Sequence, residues 1–276
     1  MSSNEKERNS HSRGHGPMRV SEKPKDFMGS IKKLMKSLSS FKVLIFIALV
    51  LAALSSILSL IAPNKLSDLT DEITKGITIN TSNMKELEEY AMINKIPIMQ
   101  KDGILYLINY IKENNIKNIL EIGSAIGYSS IMMASINSDI RITTIERDKD
   151  RYDLAVFNIK KYNLDKQINI IYGDAVDTDI TGMYDLIFID AAKGKNVFFF
   201  EKYKNNLVKR GTIITDNLSF HGLVEDESLV KTKNQRGIVN KIKDYINFLD
   251  NNTEFTTTYV PVGDKIAISK RKVSNE

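Results

Sequence analysis

The chain has 276 residues and 42% hydrophobic content, enough for one or two domains with a real core. It has no cysteine, which excludes disulfides and thiolate metal sites. Of its three histidines, His11 and His15 lie in a polar tail and His221 stands alone, which argues against a zinc centre. The net charge of +5 sits at the front: residues 1–42 carry ten Lys/Arg against four Asp/Glu, and the rest 29 against 30. The pI near 9.0 is therefore no argument that the larger part binds nucleic acid.

In chain order, residues 1–26 are polar and rich in Ser, Gly, Pro and charge, which predicts disorder. Phe27 to Lys42 is basic and amphipathic, and completes a basic tail over 1–42. Val43 to Ala62 then runs without a charge until Pro63 and Asn64. That run matches the hydrocarbon core of a bilayer, so 43–62 is expected to be a transmembrane helix; its rival is a buried helix. Residues 63–83 read as a linker or join, and 84–276 as the catalytic domain.

Asn83–Asn94 is expected to be a helix with Leu87, Tyr90 and Ala91 on one face, ended by Ile96-Pro-Ile-Met99. Asp102–Asn114 is a second amphipathic helix. Strands follow at Asn118–Gly123, Ile140–Glu146, Ile168–Tyr172, Tyr184–Asp190 and Gly211–Asp216. Helices alternate with them at Tyr128–Ile136, Lys149–Tyr162, Val197–Val208 and Lys231–Leu249. This alternation predicts an α/β fold, a mostly parallel sheet with helices on both faces. Phe255–Val260 and Lys265–Lys270, joined by Pro261-Val-Gly-Asp264, predict an antiparallel hairpin at the end.

Ligands of open α/β sheets sit beyond the carboxyl ends of the strands. Those ends carry Gly123, Glu146, Gly173-Asp174, Asp190 and Asp216-Asn217. Gly123 and Gly127 stand in a Glu-x-Gly-x-x-x-Gly turn between strand and helix, where glycine tolerates positive φ and lets a ligand near the backbone. Glu146, about 20 residues further on, is placed to hold a ribose. Asp190, Asp216 and Asn217 offer three hard oxygen ligands, suited to Mg²⁺ or another divalent cation. Asp216-Asn217 alone would equally suit a strand-end turn.

Two resemblances sharpen this reading. Gly14-His-Gly-Pro-Met-Arg, Lys23-Pro-Lys-Asp-Phe and Ala62-Pro-Asn-Lys-Leu-Ser-Asp-Leu-Thr-Asp-Glu-Ile resemble the start of bacterial multidrug ABC exporters, their cytoplasmic tail and first transmembrane helix. No Gly-x-x-x-x-Gly-Lys-Ser/Thr loop occurs in the chain, so transport is not expected. From about Met84 to Lys272 the chain resembles the class I methyltransferases that use S-adenosylmethionine, and among them the cation-dependent O-methyltransferases of the catechol and caffeoyl-CoA group. The motifs are Leu120-Glu-Ile-Gly-Ser-Ala-Ile-Gly-Tyr-Ser, Thr144-Ile-Glu-Arg, Tyr172-Gly-Asp-Ala, Tyr184-Asp-Leu-Ile-Phe-Ile-Asp-Ala-Ala-Lys and Ile214-Thr-Asp-Asn. Leu87-Glu-Glu-Tyr-Ala, Ile96-Pro-Ile-Met, Asp216-Asn-Leu-Ser-Phe-His-Gly-Leu-Val and Pro261-Val-Gly-Asp are similar to the branch that methylates 5-hydroxyuridine at the tRNA wobble position.

The resemblance implies a Rossmann-like fold with a seven-stranded sheet, S-adenosylmethionine as methyl donor and a divalent cation. It implies cofactor contacts from Met99, Glu121, Gly123, Gly127, Ser129, Glu146, Asp174, Ala175 and Asp190. Ser129 would bond the methionine carboxylate from the helix start. Glu146 would take the ribose hydroxyls, and Asp174 and Ala175 would flank the adenine. Asp190 and Lys193 would be catalytic, with Lys193 accepting the hydroxyl proton if metal and partial burial favour its neutral form. Expected partners are tRNA, through Lys231, Lys233, Arg236, Lys241 and Lys243, and a second copy in a homodimer. A solvated helix face explains those cations as well. Phe198-Phe-Phe200 is expected in the core. The alternative acceptor is a small catechol-like or caffeoyl-CoA-like molecule.

The two parts conflict. Positive charge ahead of a spanning helix places the N-terminus inside, and so everything after Ala62 outside, away from the cytoplasm where this cofactor is made. Residues 1 to about 82 are therefore expected to be a fusion or gene-model join, with Met84 a conceivable start. The rival is an inactive, membrane-tethered fusion product.

Overall fold

The computed structural model describes residues 81–272, together with Met28, Gly29 and Lys32, which are helical. The expected disordered tail, the hydrophobic run 43–62 and most of the join at 63–83 lie outside the described residues. Among the described residues no helix is long and apolar enough to cross a membrane.

The elements in chain order are α1 (Thr81–Ile93), α2 (Lys101–Glu113), β1 (Asn118–Ile122), α3 (Tyr128–Ala134), β2 (Arg141–Glu146), α4 (Lys149–Lys161), β3 (Ile168–Tyr172) and β4 (Tyr184–Ile189). They continue with α5 (Asn196–Tyr203), β5 (Leu207–Thr215), α6 (Lys233–Asp250), β6 (Phe255–Val260) and β7 (Ile266–Arg271). The seven strands form one sheet in the order β3-β2-β1-β4-β5-β7-β6. β1 to β5 are parallel, while β7 runs antiparallel to both β5 and β6. The expected mixed sheet with a terminal hairpin is what forms.

Period-two alternation distributes the side chains over two cores. Ile119, Ile142, Phe188 and Ile214 pack with α1 to α4 on one face; Leu120, Ile145, Ile187 and Ile213 pack with α5 and α6 on the other. Each face buries one hydroxyl pair against β5: Tyr110 with Thr212 at 2.9 Å and Thr215 with Tyr245 at 2.7 Å. Phe199 and Phe200 are core as expected, Phe200 edge-on to Tyr245, Phe248 and Phe255. Phe198 is 46% exposed and departs from that expectation.

Several boundaries differ from the sequence reading, and two of these differences have a visible cause. The helix expected over Val197–Val208 ends at Tyr203, a 3₁₀ turn follows at Lys204–Asn206, and β5 begins at Leu207 rather than Gly211. The longer strand is accommodated by a register shift between Tyr184 and Leu186 of β4. Asn206 anchors the turn by donating from its side chain to the carbonyls of Ile180 and Gly182. α6 starts two residues later than expected because Thr232 and Gln235 close a capping box, which sets the first helical turn.

Candidate active site

The parallel ladder continues one residue past the strands and aligns their carboxyl ends. Gly123 N donates to Ile145 O, Gly173 N to Glu146 O, Asp190 N to Ile122 O and Asp216 N to Ile189 O, all at 2.9–3.2 Å. Over these ends lies a cavity of about 650 Å³. Gly123 has φ +95°, and a Cβ there would come within 2.7 Å of the Asp190 carbonyl oxygen, so β1 and β4 approach this closely only with glycine. Gly127, at φ +83°, caps α3 in the left-handed region but does not line the cavity.

One half of the site lies at the ends of β1, β2 and β3. Glu146 is 6% exposed at the cavity wall. Its Oε2 accepts Ala125 N–H at 2.8 Å and its Oε1 accepts Asp148 N–H at 2.9 Å, which fixes the carboxylate and leaves lone pairs for a diol. Asp174 and Ala175 line the same end. The Asp174 carboxyl is held below its usual range, first by Val176 N–H and then by Lys195 and Arg147. Met99, 3% exposed, lines the cavity with Pro97 and Ile98.

Glu121 and Ser129, both expected at the cofactor, are hydrogen-bonded to each other. The Glu121 carboxylate is fully buried and absent from the cavity wall. It gathers the hydroxyls of Ser129 at 2.5 Å, Thr144 at 2.6 Å and Ser130. Burial pushes its carboxyl up to about 7 against the three hydrogen bonds, which pull it down. The Ser129 hydroxyl donates to Glu121, while Ser129 itself lines the cavity. Glu121 clamps α3 to β1 and β2 beneath the site. Sequence reasoning missed Ser124, whose buried Oγ lines the cavity without a hydrogen-bond partner. Its signal was its place between the two turn glycines.

The other half lies at the ends of β4 and β5. Asp190, Lys193 and Asn217 line the cavity, and Asp216, 1% exposed, lies just behind. Lys193 Nζ donates to Asp190 Oδ1 at 2.8 Å and lies 3.5 Å from the Asp216 carbonyl. Asn217 adopts φ +67°, tolerable for Asn, and its Nδ2 lies 2.9 Å from Asp216 Oδ2 and 3.5 Å from Asp190 Oδ1. Asp216 Oδ1 is buried with no hydrogen-bond partner. Burial, then the charge of Asp190, push the Asp216 carboxyl up to about 7. Two converging carboxylates with an orphaned oxygen are what a divalent cation would relieve, and an amide flip would offer it the Asn217 oxygen. The donor set is two carboxylates and an amide; among the described residues no group of three or more His, Cys, Asp or Glu is arranged to hold a metal.

Two of the five expected phosphate contacts form surface ion pairs. Arg236 and Lys243 both pair with Glu227, at 3.3 Å for Arg236. Lys231 and Lys233 are exposed, and Lys241 packs against Gly194, beside Lys193.

The O-methyltransferase family matches residues 75–272, most of the chain and all of its sheet. The chain belongs to this family. Among proteins of the family, a caffeoyl-CoA O-methyltransferase of Medicago sativa is 32% identical over 207 residues, covering 68% of this chain and 81% of the relative. A catechol O-methyltransferase of Niastella koreensis is 37% identical over 120 residues, covering 41% of this chain and 54% of that one. A crystal structure from Staphylococcus aureus, assigned there as a caffeoyl-CoA O-methyltransferase, superposes with a TM-score of 0.66 at 40% identity, covering 68% of this chain and 92% of that one. The expected Rossmann-like fold and an enzyme transferring methyl groups to oxygen are thus borne out.

Proposed function

We propose that this O-methyltransferase takes its methyl group from S-adenosylmethionine and places it on one of two neighbouring oxygens of a small aromatic acceptor, held by Mg²⁺ or a similar cation. The observation that carries this reading is the buried, unpartnered Asp216 oxygen, set against Asp190 and Asn217 beside a cavity with a diol-ready glutamate. Asp190, Asp216 and Asn217 would hold the cation. When bound, it would act as a Lewis acid on the acceptor's oxygens and favour loss of the hydroxyl proton.

The chain's own residues do the rest. Glu146 orients the ribose, Gly123 allows the donor close to the backbone, and Met99 closes over the methionine end. Asp174 and Ala175 border the adenine. Lys193 Nζ, held by Asp190, is the group we assign to receive the hydroxyl proton. The relatives' names, caffeoyl-CoA and catechol, favour a small aromatic acceptor over the tRNA nucleoside expected from short motifs, and the engaged Arg236 and Lys243 point the same way.

The test is transfer of labelled methyl from S-adenosylmethionine, with Mg²⁺ or with EDTA, to catechol and to tRNA bearing 5-hydroxyuridine. Metal-dependent product on catechol supports the reading. Product on tRNA alone would replace the acceptor while keeping the chemistry.

A further inference from the structure

The rim of the cavity carries a pairing that the chemistry above does not use. His221 lines the cavity beside Phe220, ring centroids 5.8 Å apart, with its side chain 70% exposed. Beneath it lies Asp264, from the turn between β6 and β7 and only 4% exposed. Asp264 Oδ1 accepts the His221 backbone N–H at 2.7 Å. Asp264 Oδ2 is buried without a hydrogen-bond partner, and His221 Nδ1 is 3.9 Å from it. Both oxygens of one buried carboxylate therefore face one histidine. Leaving a buried acceptor unpaired is costly, so a small rotation of the exposed ring that closes this gap is favoured.

The platform under the pair is fixed. Phe220 and His221 hold φ +50° and +58°, which the flanking bonds impose: Leu218 N–H to Lys265 O and Ser219 N–H to Asp264 O. The hairpin turn is itself docked on α2, where Gly263 N–H donates to Asp102 Oδ2 at 2.9 Å. With Nδ1 turned to Asp264, Nε2 is the ring atom left for the cavity. The charged side chains on the cavity wall are Arg147, Arg151, Lys193 and Lys195 against Glu146, Asp174 and Asp190. Adding a divalent cation to that set makes the wall favour a negative acceptor.

We propose that His221, fixed through Nδ1 by Asp264, selects the methyl acceptor by hydrogen-bonding an acidic substituent of its ring through Nε2. This rests on the small-aromatic reading above. Phe220 supplies an apolar face for the ring, and His221 reads the group it carries.

The full chain with S-adenosylmethionine and Mg²⁺ is assayed on 3,4-dihydroxybenzoate and on catechol. The wild type is expected to have the higher kcat/KM on the acid. His221→Asn, which suits a left-handed backbone, is expected to lower the acid-to-catechol ratio of kcat/KM about tenfold, through KM for the acid. His221→Gln, with a longer amide, is expected to restore part of the ratio. An unchanged ratio in His221→Asn overturns the proposal. Nitrogen NMR of the histidines judges the pair without turnover. The His221 ring should carry its proton on Nδ1, lose that preference in Asp264→Asn, and shift when 3,4-dihydroxybenzoate is added. A ring that answers neither change overturns the proposal, even where methylation of both probes fails and only the acceptor reading falls.

Discussion

The two halves of the site satisfy their carboxylates in opposite ways. At the ends of β1 and β2, Glu121 takes three hydroxyls and Glu146 two backbone N–H groups, all from this chain. At the ends of β4 and β5, Asp216 keeps one buried oxygen without a partner and feels the charge of Asp190. The first half satisfies its carboxylates within the chain, and on the function proposed above Glu146 is left to place a diol. The second keeps an unsatisfied buried oxygen, which on the function proposed above a cation would satisfy. A buried carboxylate is thus either a structural clamp or a ligand site, and its hydrogen-bond inventory tells which.

The sharpest way to break this contrast is Asp216→Ala. It is expected to reduce methyl transfer by about a thousandfold or more by removing a cation ligand, while affinity for S-adenosylmethionine, measured by calorimetry, stays close to wild type. Equal losses in both would mean that the two halves are one unit. Next in size, Glu146→Ala is expected to weaken cofactor binding about 10- to 100-fold, since bonds to a charged group are worth about 1.5–3 kcal/mol. Ser129→Ala, whose hydroxyl is turned to Glu121, should weaken it less than about threefold. A larger loss in the serine variant would restore Ser129 as a ligand.

The buried clamp has a pH signature. Folding raises the Glu121 carboxyl from about 4.5 to about 7, so the folded state holds a proton there that the unfolded state has released. That preference favours the folded state most below about pH 4.5 and is lost as pH rises to about 7. Glu121→Gln is expected to flatten this part of the stability profile in thermal melts run with Mg²⁺ present. A profile that keeps the wild-type slope would show that Glu121 is not its source. The smallest effect is expected at Arg236→Ala and Lys243→Ala. These surface pairs with Glu227 should leave Tm and catechol methylation close to wild type. A steep, salt-dependent loss on tRNA in either variant would revive the nucleic-acid reading.

Much of this was legible in the residues. Strand ends announced themselves by apolar runs stopping at Gly123, Glu146, Asp190 and Asp216, and the sheet order then put them side by side. The end of α5 was not legible: Lys204-Asn-Asn contains no Gly or Pro, and the turn is set by Asn206 bonding to carbonyls more than 20 residues away. The surroundings of Glu121 were not legible for a related reason. Its motif marks the site, but only the fold shows three hydroxyls from two other elements closing around its side chain. Asp264 sat in a recognisable turn, yet nothing local links it to His221, 43 positions earlier.

The most direct test of the central claim is methyl transfer from labelled S-adenosylmethionine to catechol by the wild-type chain, first with EDTA and then with Mg²⁺ restored. The account predicts no product with EDTA and recovery on adding the cation. Undiminished transfer in EDTA would contradict it, and would leave the open oxygen of Asp216 without the role assigned to it here.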